Sequence, residues 1–441
     1  MSDTVIRIKG GRVIDPYRGV DSHQEDIWIQ DGRFVAGEDA RGRETVALDA
    51  EGLWVVPRLV DMHVHFREPG QTWKETIRSG SQAAAHGGVA VVAAMPNTTP
   101  VIDTPELVEW VRRKGHEARL VRVLPIGAVT LASQGEDLAD LYRMQEAGAV
   151  GFSDDGRPVT SSRLMRAALS YSTTLNAPII NHAEDRSLAD GGAAHEGGPA
   201  GRLGIPGIPE AAESAMVWRD VLLAGLTGGR LHVAHVSALE SVEAIRYAKQ
   251  RGYQVTAEAT PHHLLLTDEA LNAWQYNTVT KVNPPLRPDA SRQALLKAVR
   301  DGLIDVLASD HAPHHADEKQ RPYPDAPFGI SGLETIVAGL ITALVEPGLL
   351  APLDAFKLMT SGPDRVLGLG YRGMVPGEQA DVALIDPQQQ WTVEPGKFYS
   401  LGKNTPFQGM MMTGKAVATI VDGRVVMQDG EVLHAGLSSL S

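Results

Sequence analysis

The sequence contains no cysteine among its 441 residues. This absence excludes disulfide bonds, a thiolate nucleophile and every zinc site built from cysteine. Any metal ion must therefore be held by histidine and carboxylate side chains, which are the strong ligands that remain.

Positive charge is scarce relative to negative charge. The chain has 41 Lys and Arg against 54 Asp and Glu, which gives a formal net charge of −13. Nucleic acids and anionic membrane surfaces bind basic protein faces, so we expect neither as a partner. An anionic small molecule would have to be bound by a local group of cationic residues.

Long hydrophobic runs are also missing. The longest, "TIVAGLITALVEPGLL", is interrupted by Glu346 and Pro347, and the start, "MSDTVIRIKG", lacks the apolar core of a signal peptide. We therefore expect no membrane span and a cytoplasmic location.

Short β-type runs occur at both ends of the chain, such as "DIWIQDGRFVA" near the start and "AVATIVDGRVVMQDGEV" near the end. An Asp-Gly-Arg triplet follows an apolar run at both ends, at 31–33 and 422–424. Asp-Gly is a common hairpin signal, so the similarity can also be coincidence. We predict one small β-domain built from residues 1–56 and 369–441.

Between these ends, strand-like runs alternate with segments of helical period, such as 104–114, 163–175, 211–226 and 239–251. The runs are "GLWVVPRLVDMHV", "GVAVVAAM", "VRVLPIGA", "AVGFS", "APIIN", "RLHVAHV", "YQVTAEA" and "DVLAS". Eight strands separated by helices are typical of a (β/α)8 barrel, which we predict over residues 57–368.

Polar residues lie at or just past the ends of these strands. They are His63, His65, Asn97, Asp154, Asp155, His182, His235, His262, His263, Asp310, His311 and His314. Barrel strands end on one face, where barrel enzymes place their catalytic groups. Residues i and i+2 of a strand share a face, so His63 and His65 can bind one ion. Each residue alone could instead be a hydrogen-bonded core histidine or a capping aspartate, but the whole set favours a hydrolytic zinc site.

The chain resembles the amidohydrolase superfamily, and within it the class I dihydroorotases, over essentially its whole length. The matching segments are "DMHVHFREPG", "AMPNTTP", "GFSDDG", "NHAED", "HVAHVS", "TAEATPHHL", "KVNPPLR", "ASDHAPH", "FGISGLET" and "GKNTPF". The resemblance implies a barrel with a β-sandwich-like side domain built from both chain ends.

The resemblance also implies a set of metal ligands. It assigns His63, His65 and Asp310 to one zinc position, assigns His182 and His235 to a second, and puts Asp154 between them. Hydantoinases and allantoinases usually carry a carboxylated lysine at that bridge, and "GAVGFSDDGRP" contains no lysine. The resemblance therefore implies one or two zinc ions per chain.

The implied reaction is the reversible closure of N-carbamoyl-L-aspartate to L-dihydroorotate, a step of pyrimidine synthesis. Zinc lowers the pKa of a bound water to about 7, which provides a nucleophile for a ring amide. Asp310 would take the proton of that water and pass it to the departing ring nitrogen.

An anionic substrate needs a clamp. The resemblance places Arg67 on the substrate carboxylate, with Asn97 and His314 adding hydrogen bonds. It further assigns the ring edge to Asn283 and to backbone amides of residues 327–329, which include Phe328 and Gly329. The alternative for Arg67 is a surface salt bridge with its neighbour Glu68.

His262 and His263 fall outside the implied metal shell, so we expect them to give structural support. The segment from 314 to 332 is rich in Pro, Gly and charge, and it predicts a mobile loop over the site.

Two other functions remain open. One is a different cyclic amidohydrolase, acting on a hydantoin or allantoin, which Arg67 and the missing lysine disfavour. The other is a non-catalytic scaffold for aspartate transcarbamoylase, which the intact ligand positions disfavour. Aspartate transcarbamoylase is also the candidate partner of an active enzyme, and we expect a homo-oligomer. Arg58, where the family usually has glycine, has no explanation from the sequence.

Overall fold

The computed structural model describes residues 5–22, 26–40 and 43–433. The outer ends of the predicted small domain, residues 1–4 and 434–441, lie outside this part, and so does part of the start examined for a signal peptide. Within the described residues, no helix combines the length and the apolar character needed to cross a membrane.

The chain is an α/β protein. Its strands are Val5–Lys9, Arg12–Asp15, Val20–Ser22, Ile27–Gln30, Arg33–Val35, Thr45–Asp49, Trp54–Pro57, Val60–Val64, Val91–Ala94, Arg122–Pro125, Ile179–Asn181, Ala194–His195, Gly207–Ile208, Leu231–Val233, Val255–Ala259, Val306–Leu307, Val382–Thr392, Met411–Val421, Arg424–Gln428 and Glu431–Val432.

The helices mostly lie between strands of the middle region. They are Ile77–His86, Pro105–Ala118, Leu141–Ala147, Ser162–Leu175, Arg186–Ala189, Gly198–Leu203, Glu210–Thr227, Leu239–Gln250, Pro261–Leu265, Ala270–Ala273, Asp289–Arg300, Ala316–Lys319, Ile336–Leu340, Pro352–Lys357 and Ser361–Leu367, with a π-helical turn at Ile341–Val345 and short 3-10 turns at Leu131–Ser133, Thr278–Thr280, Tyr323–Asp325, Leu333–Thr335 and Pro395–Lys397. The four helices predicted from periodicity are confirmed within a few residues.

Parallel pairing organises seven strands in the middle of the chain into two sheets, and a separate two-stranded parallel sheet pairs Ala194–His195 with Gly207–Ile208. One of the two larger sheets runs in the order Val60–Val64, Val91–Ala94, Arg122–Pro125, and the other in the order Ile179–Asn181, Leu231–Val233, Val255–Ala259, Val306–Leu307.

Isolated parallel bridges join these two sheets at both edges. Phe152 bridges to Gly127 on one side and to Ile179 on the other, and Val64 bridges to His311. Followed from strand to strand, the parallel pairings begin at Val60–Val64 and return to it, so they form a closed ring. The predicted strand "AVGFS" is reduced to the two bridges at Phe152.

Strands from both chain ends share one sheet. It has seven strands, and Trp54–Pro57 pairs there with Val382–Thr392 from the far end of the chain. The two Asp-Gly turns meet beside this sheet, since the amide of Ala380 donates to the carbonyl of Gly32 (2.9 Å) and the amide of Gly423 donates to that of Ala380 (2.9 Å). Residues from both chain ends therefore contact each other at Ala380.

Arg58 connects the two parts of the molecule. Its Nε donates to Oδ2 of Asp381 at 2.8 Å, and its guanidinium lies 3.8 Å from the ring centroid of Tyr371. Both partners belong to the C-terminal part of the chain, and the Asp381 side chain is fully buried. Arg58 therefore compensates the buried charge of Asp381. It also joins the residues just before the strand Val60–Val64 to the C-terminal part of the chain.

Candidate active site

The strand ends bring a buried group of histidines and carboxylates together. The group consists of His63, His65, Asp155, His182, His235 and Asp310, each no more than 7% exposed. They come from different strands or strand ends, which converge because parallel strands around one core end on the same face.

The first part of this group contains His63 and His65. Nε2 of His63 lies 3.3 Å from Oδ1 of Asp155 and 3.5 Å from Oδ1 of Asp310. Nε2 of His65 lies 3.5 Å from Oδ2 of Asp155 and 3.1 Å from Oδ1 of Asp310. The two ring nitrogens and the two carboxylates thus face one small space.

The second part contains His182 and His235, whose Nδ1 and Nε2 atoms lie 2.8 Å apart. Each of these nitrogens is 3.8 Å from Oδ1 of Asp155. Asp155 therefore belongs to both candidate metal groups found among the described residues, one with His63 and His65 and one with His182 and His235.

The structure corrects the expected position of Asp154. The sequence predicts Asp154 between the two groups, but Asp155 lies there. The carboxylate of Asp154 instead accepts hydrogen bonds from the backbone amides of Val129 (2.8 Å) and Thr130 (3.0 Å) and from the Thr130 hydroxyl. Neighbouring residues in extended chain point to opposite sides, so only one of the two aspartates can face the histidines.

The side chains present fit a metal ion. Nε2 of His63 and Oδ1 of Asp155 are buried and have no hydrogen-bond partner among the described residues. Buried polar atoms without partners are costly, and a cation between them would satisfy both. Imidazole nitrogen and carboxylate oxygen without thiolate are a ligand set that zinc accepts.

The carboxylates of the group are held in their ionised form. Burial acts to raise the pKa of Asp310, but the nearby His63 and His65 outweigh it and keep that pKa well below its usual range. Burial likewise opposes ionisation of Asp155, and its histidine neighbours again lower the pKa well below the usual value. Both groups are therefore available as anionic ligands at neutral pH.

Glu258 supports this group and is not predicted from the sequence. Its Oε1 lies 2.5 Å from Nδ1 of His63, and the same oxygen accepts from the backbone amide of His235 at 3.1 Å. Its Oε2 lies 3.2 Å from Nε2 of His232. Such a carboxylate fixes the ring orientation and tautomer of a ligand histidine. The available signal was a glutamate inside the apolar strand Val255–Ala259.

Two asparagines predicted to bind substrate contact histidines of the site. Oδ1 of Asn97 lies 2.8 Å from Nδ1 of His65, so Asn97 leaves Nε2 of that ring facing the carboxylates. Nδ2 of Asn283 lies 3.3 Å from Nε2 of His182 and donates to Oε2 of Glu184 at 2.7 Å. Both asparagines thus lie beside the metal-ligand candidates.

Arg67 lies buried next to the group, with a left-handed φ of 59°. Its Nε donates to the carbonyl of Pro313 at 3.3 Å. Burial lowers the pKa of Arg67 to about 10, although Asp310 and Asp155 oppose this shift. The alternative of a salt bridge with Glu68 is not seen in the described part, where Glu68 accepts from the backbone amide of Ile77 at 2.8 Å.

His314 links Arg67 to the segment 327–329. Its Nε2 donates to the carbonyl of Phe328 at 2.8 Å, and its Nδ1 lies 3.3 Å from Nζ of Lys74. Burial, with the charges of Arg67 and Lys74, lowers the pKa of His314 far below its usual value, so the ring is neutral. Gly329 has a φ of +127°, and a Cβ there would lie 2.5 Å from the carbonyl oxygen of Ala312. This close approach requires glycine.

A cavity of about 540 Å³ opens beside the site. It is lined by Gln71, Asn97, Thr98, Thr99, Pro100, Val101, Asp103, Ala132, Ser133, Gln134, Asp155, Gly156 and Arg157. Asn97 and Asp155 line this cavity and also contact His65 and His63, so the cavity adjoins the histidine cluster.

His262 and His263 lie outside both candidate metal groups of the described residues. Nε2 of His263 donates to the carbonyl of Pro284 at 2.9 Å, and its Nδ1 lies 2.7 Å from Oγ1 of Thr260. These contacts agree with the structural role expected for His263.

Comparison with known proteins identifies the family. The family model "Dihydro-orotase-like" matches residues 52–241. A protein named dihydroorotase from Pelotomaculum thermopropionicum is 50% identical over 96% of this chain and 98% of its own. The chain belongs to the dihydroorotase family. A second dihydroorotase, from Anaeromyxobacter dehalogenans, is 47% identical over 97% of this chain and 99% of its own.

A solved structure extends the dihydroorotase comparison to the fold. The L-hydantoinase (dihydropyrimidinase) from Arthrobacter aurescens superposes with a TM-score of 0.85 at 28% identity, covering 97% of each chain. This chain therefore shares its architecture with a protein named for a different substrate, so the fold alone does not determine the substrate.

Proposed function

We propose that the chain is a class I dihydroorotase that catalyses the zinc-dependent, reversible closure of N-carbamoyl-L-aspartate to L-dihydroorotate in pyrimidine synthesis. The observation that carries this proposal is a buried arginine, Arg67, beside a cluster of histidines and carboxylates that fits a metal. The curated relatives named dihydroorotase, at 47% and 50% identity, support it.

The closed series of parallel pairings supports a (β/α)8 barrel over residues 57–368. The shared sheet of both chain ends supports a β-sandwich-like small domain made of residues 1–56 and 369–441. In this arrangement the barrel carries the site, and the small domain packs against one side of the barrel.

The metal would be held by His63, His65 and Asp310 at one position and by His182 and His235 at the other, with Asp155 shared. Zinc bound there would lower the pKa of water and polarise a carbonyl group. The proposal includes one or two ions, since Asp155 is near both groups of histidines.

Asp310 is the proposed acid and base. Its carboxylate is ionised and lies in the same small space as the ring nitrogens of His63 and His65. In ring opening it would accept a proton from the attacking water and deliver it to the ring nitrogen as the amide bond breaks. In ring closure it would move the proton the opposite way, since both directions share one transition state.

Substrate recognition is assigned to residues around Arg67. Its planar guanidinium would form a paired hydrogen bond with the substrate carboxylate. His314 would lie beside Arg67 and orient it, and the backbone amide of Phe328 would face the ring. The amide of Gly329 is already bonded to the carbonyl of Lys281, so Gly329 would shape the site and not donate to the ring. Asn97 and Asn283 would add hydrogen bonds while they orient His65 and His182.

The similarity to an L-hydantoinase favours a second candidate, a hydantoinase-type activity. Hydantoin rings lack the carboxylate that would pair with Arg67. The shared bridging position here is an aspartate, Asp155, and not lysine. These two residues favour dihydroorotate over hydantoin as the substrate.

Aspartate transcarbamoylase remains the proposed protein partner, with a homo-oligomer as the proposed state and the cytoplasm as the proposed location. Co-purification of the two enzymes, followed by comparison of activity with and without the partner, would test the first of these.

The function is tested by metal removal and by Asp310→Asn. The wild-type protein treated with a chelator should lose dihydroorotate hydrolysis and regain it when zinc is added back. Asp310→Asn should retain the fold but lose activity even after zinc addition, because the amide cannot act as a base. Full activity in the chelated protein, or in Asp310→Asn, would contradict the proposal.

A further inference from the structure

Two lysines close to the site are buried, although lysine is rarely found in protein interiors without a charged partner. Lys281 is 2% exposed and Lys319 is 7% exposed. Lys319 ends the short helix Ala316–Lys319, at the start of the segment that leads to Phe328 and Gly329.

Both ammonium groups bind backbone carbonyls. Nζ of Lys319 donates to the carbonyls of Pro327 (2.9 Å) and Gly329 (3.0 Å). Nζ of Lys281 donates to the carbonyls of Tyr323 and Pro324, both at 2.8 Å. Among the described residues, neither lysine has an ion pair with a carboxylate within 4 Å. An ammonium group at either position is thus stabilised by carbonyl dipoles and not by an ion pair.

Several other cationic residues lie near Lys319. Lys319 lies on the same side of the site as Arg67, Lys74 and Lys281. The charges of Arg67, Lys74 and Lys319 all lower the pKa of His314. Acids are present as well. Glu318 pairs with Lys74 at 3.0 Å, Asp325 interacts with Lys281, and Asp310, Asp155 and Glu75 act on Arg67. Burial, together with the charge of Lys281, lowers the pKa of Lys319 to about 7.

The segment 327–329 is fixed by the same two lysines. The amide of Gly329 donates to the carbonyl of Lys281 at 2.9 Å. The carbonyl of Gly329 accepts from Lys319 and from Nδ2 of Asn404, the latter at 2.8 Å. The side chain of Lys281 also lies 4.4 Å from the ring centroid of Phe328. Movement of either lysine would therefore move the backbone assigned to the substrate ring.

We propose that Lys319, assisted by Lys281, is a positioning residue that holds segment 327–329 and, when protonated, supplies a positive charge without a carboxylate partner for binding the dianionic substrate N-carbamoyl-L-aspartate. The inference rests on the proposed function. Lys319 acts through the backbone carbonyls that it binds and through its electrostatic field, while Arg67 makes the direct contact. The field of a buried charge is weakly screened, so it extends to the substrate carboxylates.

The test separates charge from hydrogen bonding. Lys319→Gln keeps an N–H donor for the carbonyls but removes the charge, and Lys281→Gln does the same at the second lysine. Lys357→Gln is the matched control, because Lys357 is exposed and pairs with Asp354 at 2.7 Å on a distant helix. Each variant is checked for zinc content and for its circular dichroism spectrum before kinetics.

Kinetics are measured at about pH 6, below the pKa of Lys319, so that its ammonium form predominates. We expect Lys319→Gln to raise the KM for N-carbamoyl-L-aspartate at least about tenfold, with kcat within about threefold of wild type. Lys281→Gln should show the same changes to a smaller extent, and Lys357→Gln should match wild type.

Two results would overturn the inference: a KM within about twofold of wild type in folded, zinc-loaded Lys319→Gln, or a fall in kcat with an unchanged KM. If Lys319→Gln does not fold, the same criteria apply to Lys281→Gln. An inactive wild-type enzyme would instead refute the proposed function, so the two failures are distinguishable.

Discussion

Asp154 and Asp155 are adjacent in the chain, yet their carboxylates lie in different environments. Oδ1 of Asp155 is 3.3 Å from Nε2 of His63, whereas Oδ1 of Asp154 is 2.8 Å from the backbone nitrogen of Val129. Asp155 faces the histidine cluster, and Asp154 holds the backbone next to Asp155 in place.

This difference predicts distinct effects of two substitutions. Asp155→Ala should weaken zinc binding at least about tenfold, because it removes the carboxylate near all four histidines. Asp154→Ala should instead lower the free energy of unfolding by about 1–3 kcal/mol, since it leaves buried amides unpaired. Zinc analysis and urea unfolding of both variants test this, and equal zinc loss in both would contradict it.

Glu258 should increase the zinc affinity of the site, although it does not contact the metal itself. Glu258→Gln keeps a hydrogen-bonding oxygen near His63 but loses the charge, so we expect zinc affinity to fall by about 10- to 100-fold. Competition with a chelator gives the affinity directly. An unchanged affinity would mean that the contact between Glu258 and His63 has no effect on the metal.

Arg67→Lys tests whether Arg67 binds the substrate carboxylate. The ammonium keeps the charge but loses the planar pair of donors, so kcat/KM for dihydroorotate should fall at least about tenfold, or roughly 1.4 kcal/mol. Steady-state kinetics at several substrate concentrations measure this. The assignment to the substrate carboxylate would be rejected by a variant as efficient as wild type.

Arg58 should contribute to stability and not to the chemistry. Arg58→Met leaves the buried carboxylate of Asp381 with Arg122, at 3.2 Å, as its remaining charged partner. We expect a loss of about 3 kcal/mol in unfolding free energy, because a buried charge loses its main partner. Arg143→Met is the control, since Arg143 is 74% exposed in its side chain and should change stability little.

The pKa of Lys319 predicts a pH dependence of stability. That pKa is lowered to about 7 in the folded protein and is 10.5 in the unfolded chain. Between these values the unfolded chain binds the proton more strongly, so stability rises with pH, by up to about 1.4 kcal/mol per pH unit. Unfolding of wild type and Lys319→Gln at pH 7 and pH 9 (within about that window) should show a larger gain in wild type. Identical gains would contradict the shifted pKa.

Much of this site is predictable from local sequence. Histidines spaced by two at a strand end, and acids at the ends of later strands, identify the cluster because parallel strands bring their ends together. The helices 105–118 and 210–227 follow from apolar periodicity.

Other features depend on contacts that local sequence does not contain. Whether Asp154 or Asp155 faces the histidines depends on which way successive side chains point after Phe152. Regular strand pairing is reduced there to isolated bridges, so the sequence pattern does not fix this orientation. The partner of Arg58 is Asp381, which lies 323 residues away along the chain. Glu258 is recognisable only once His63 is seen beside it.

The most direct test of the central claim compares two cyclic substrates on zinc-loaded wild-type protein. Hydrolysis of L-dihydroorotate and of hydantoin is followed under the same conditions, and kcat/KM is obtained for each. Our account predicts efficient turnover of L-dihydroorotate and at least about a hundredfold lower kcat/KM for hydantoin, since only the first offers a carboxylate to Arg67. A zinc-loaded protein that prefers hydantoin, or that does not hydrolyse L-dihydroorotate, would contradict it.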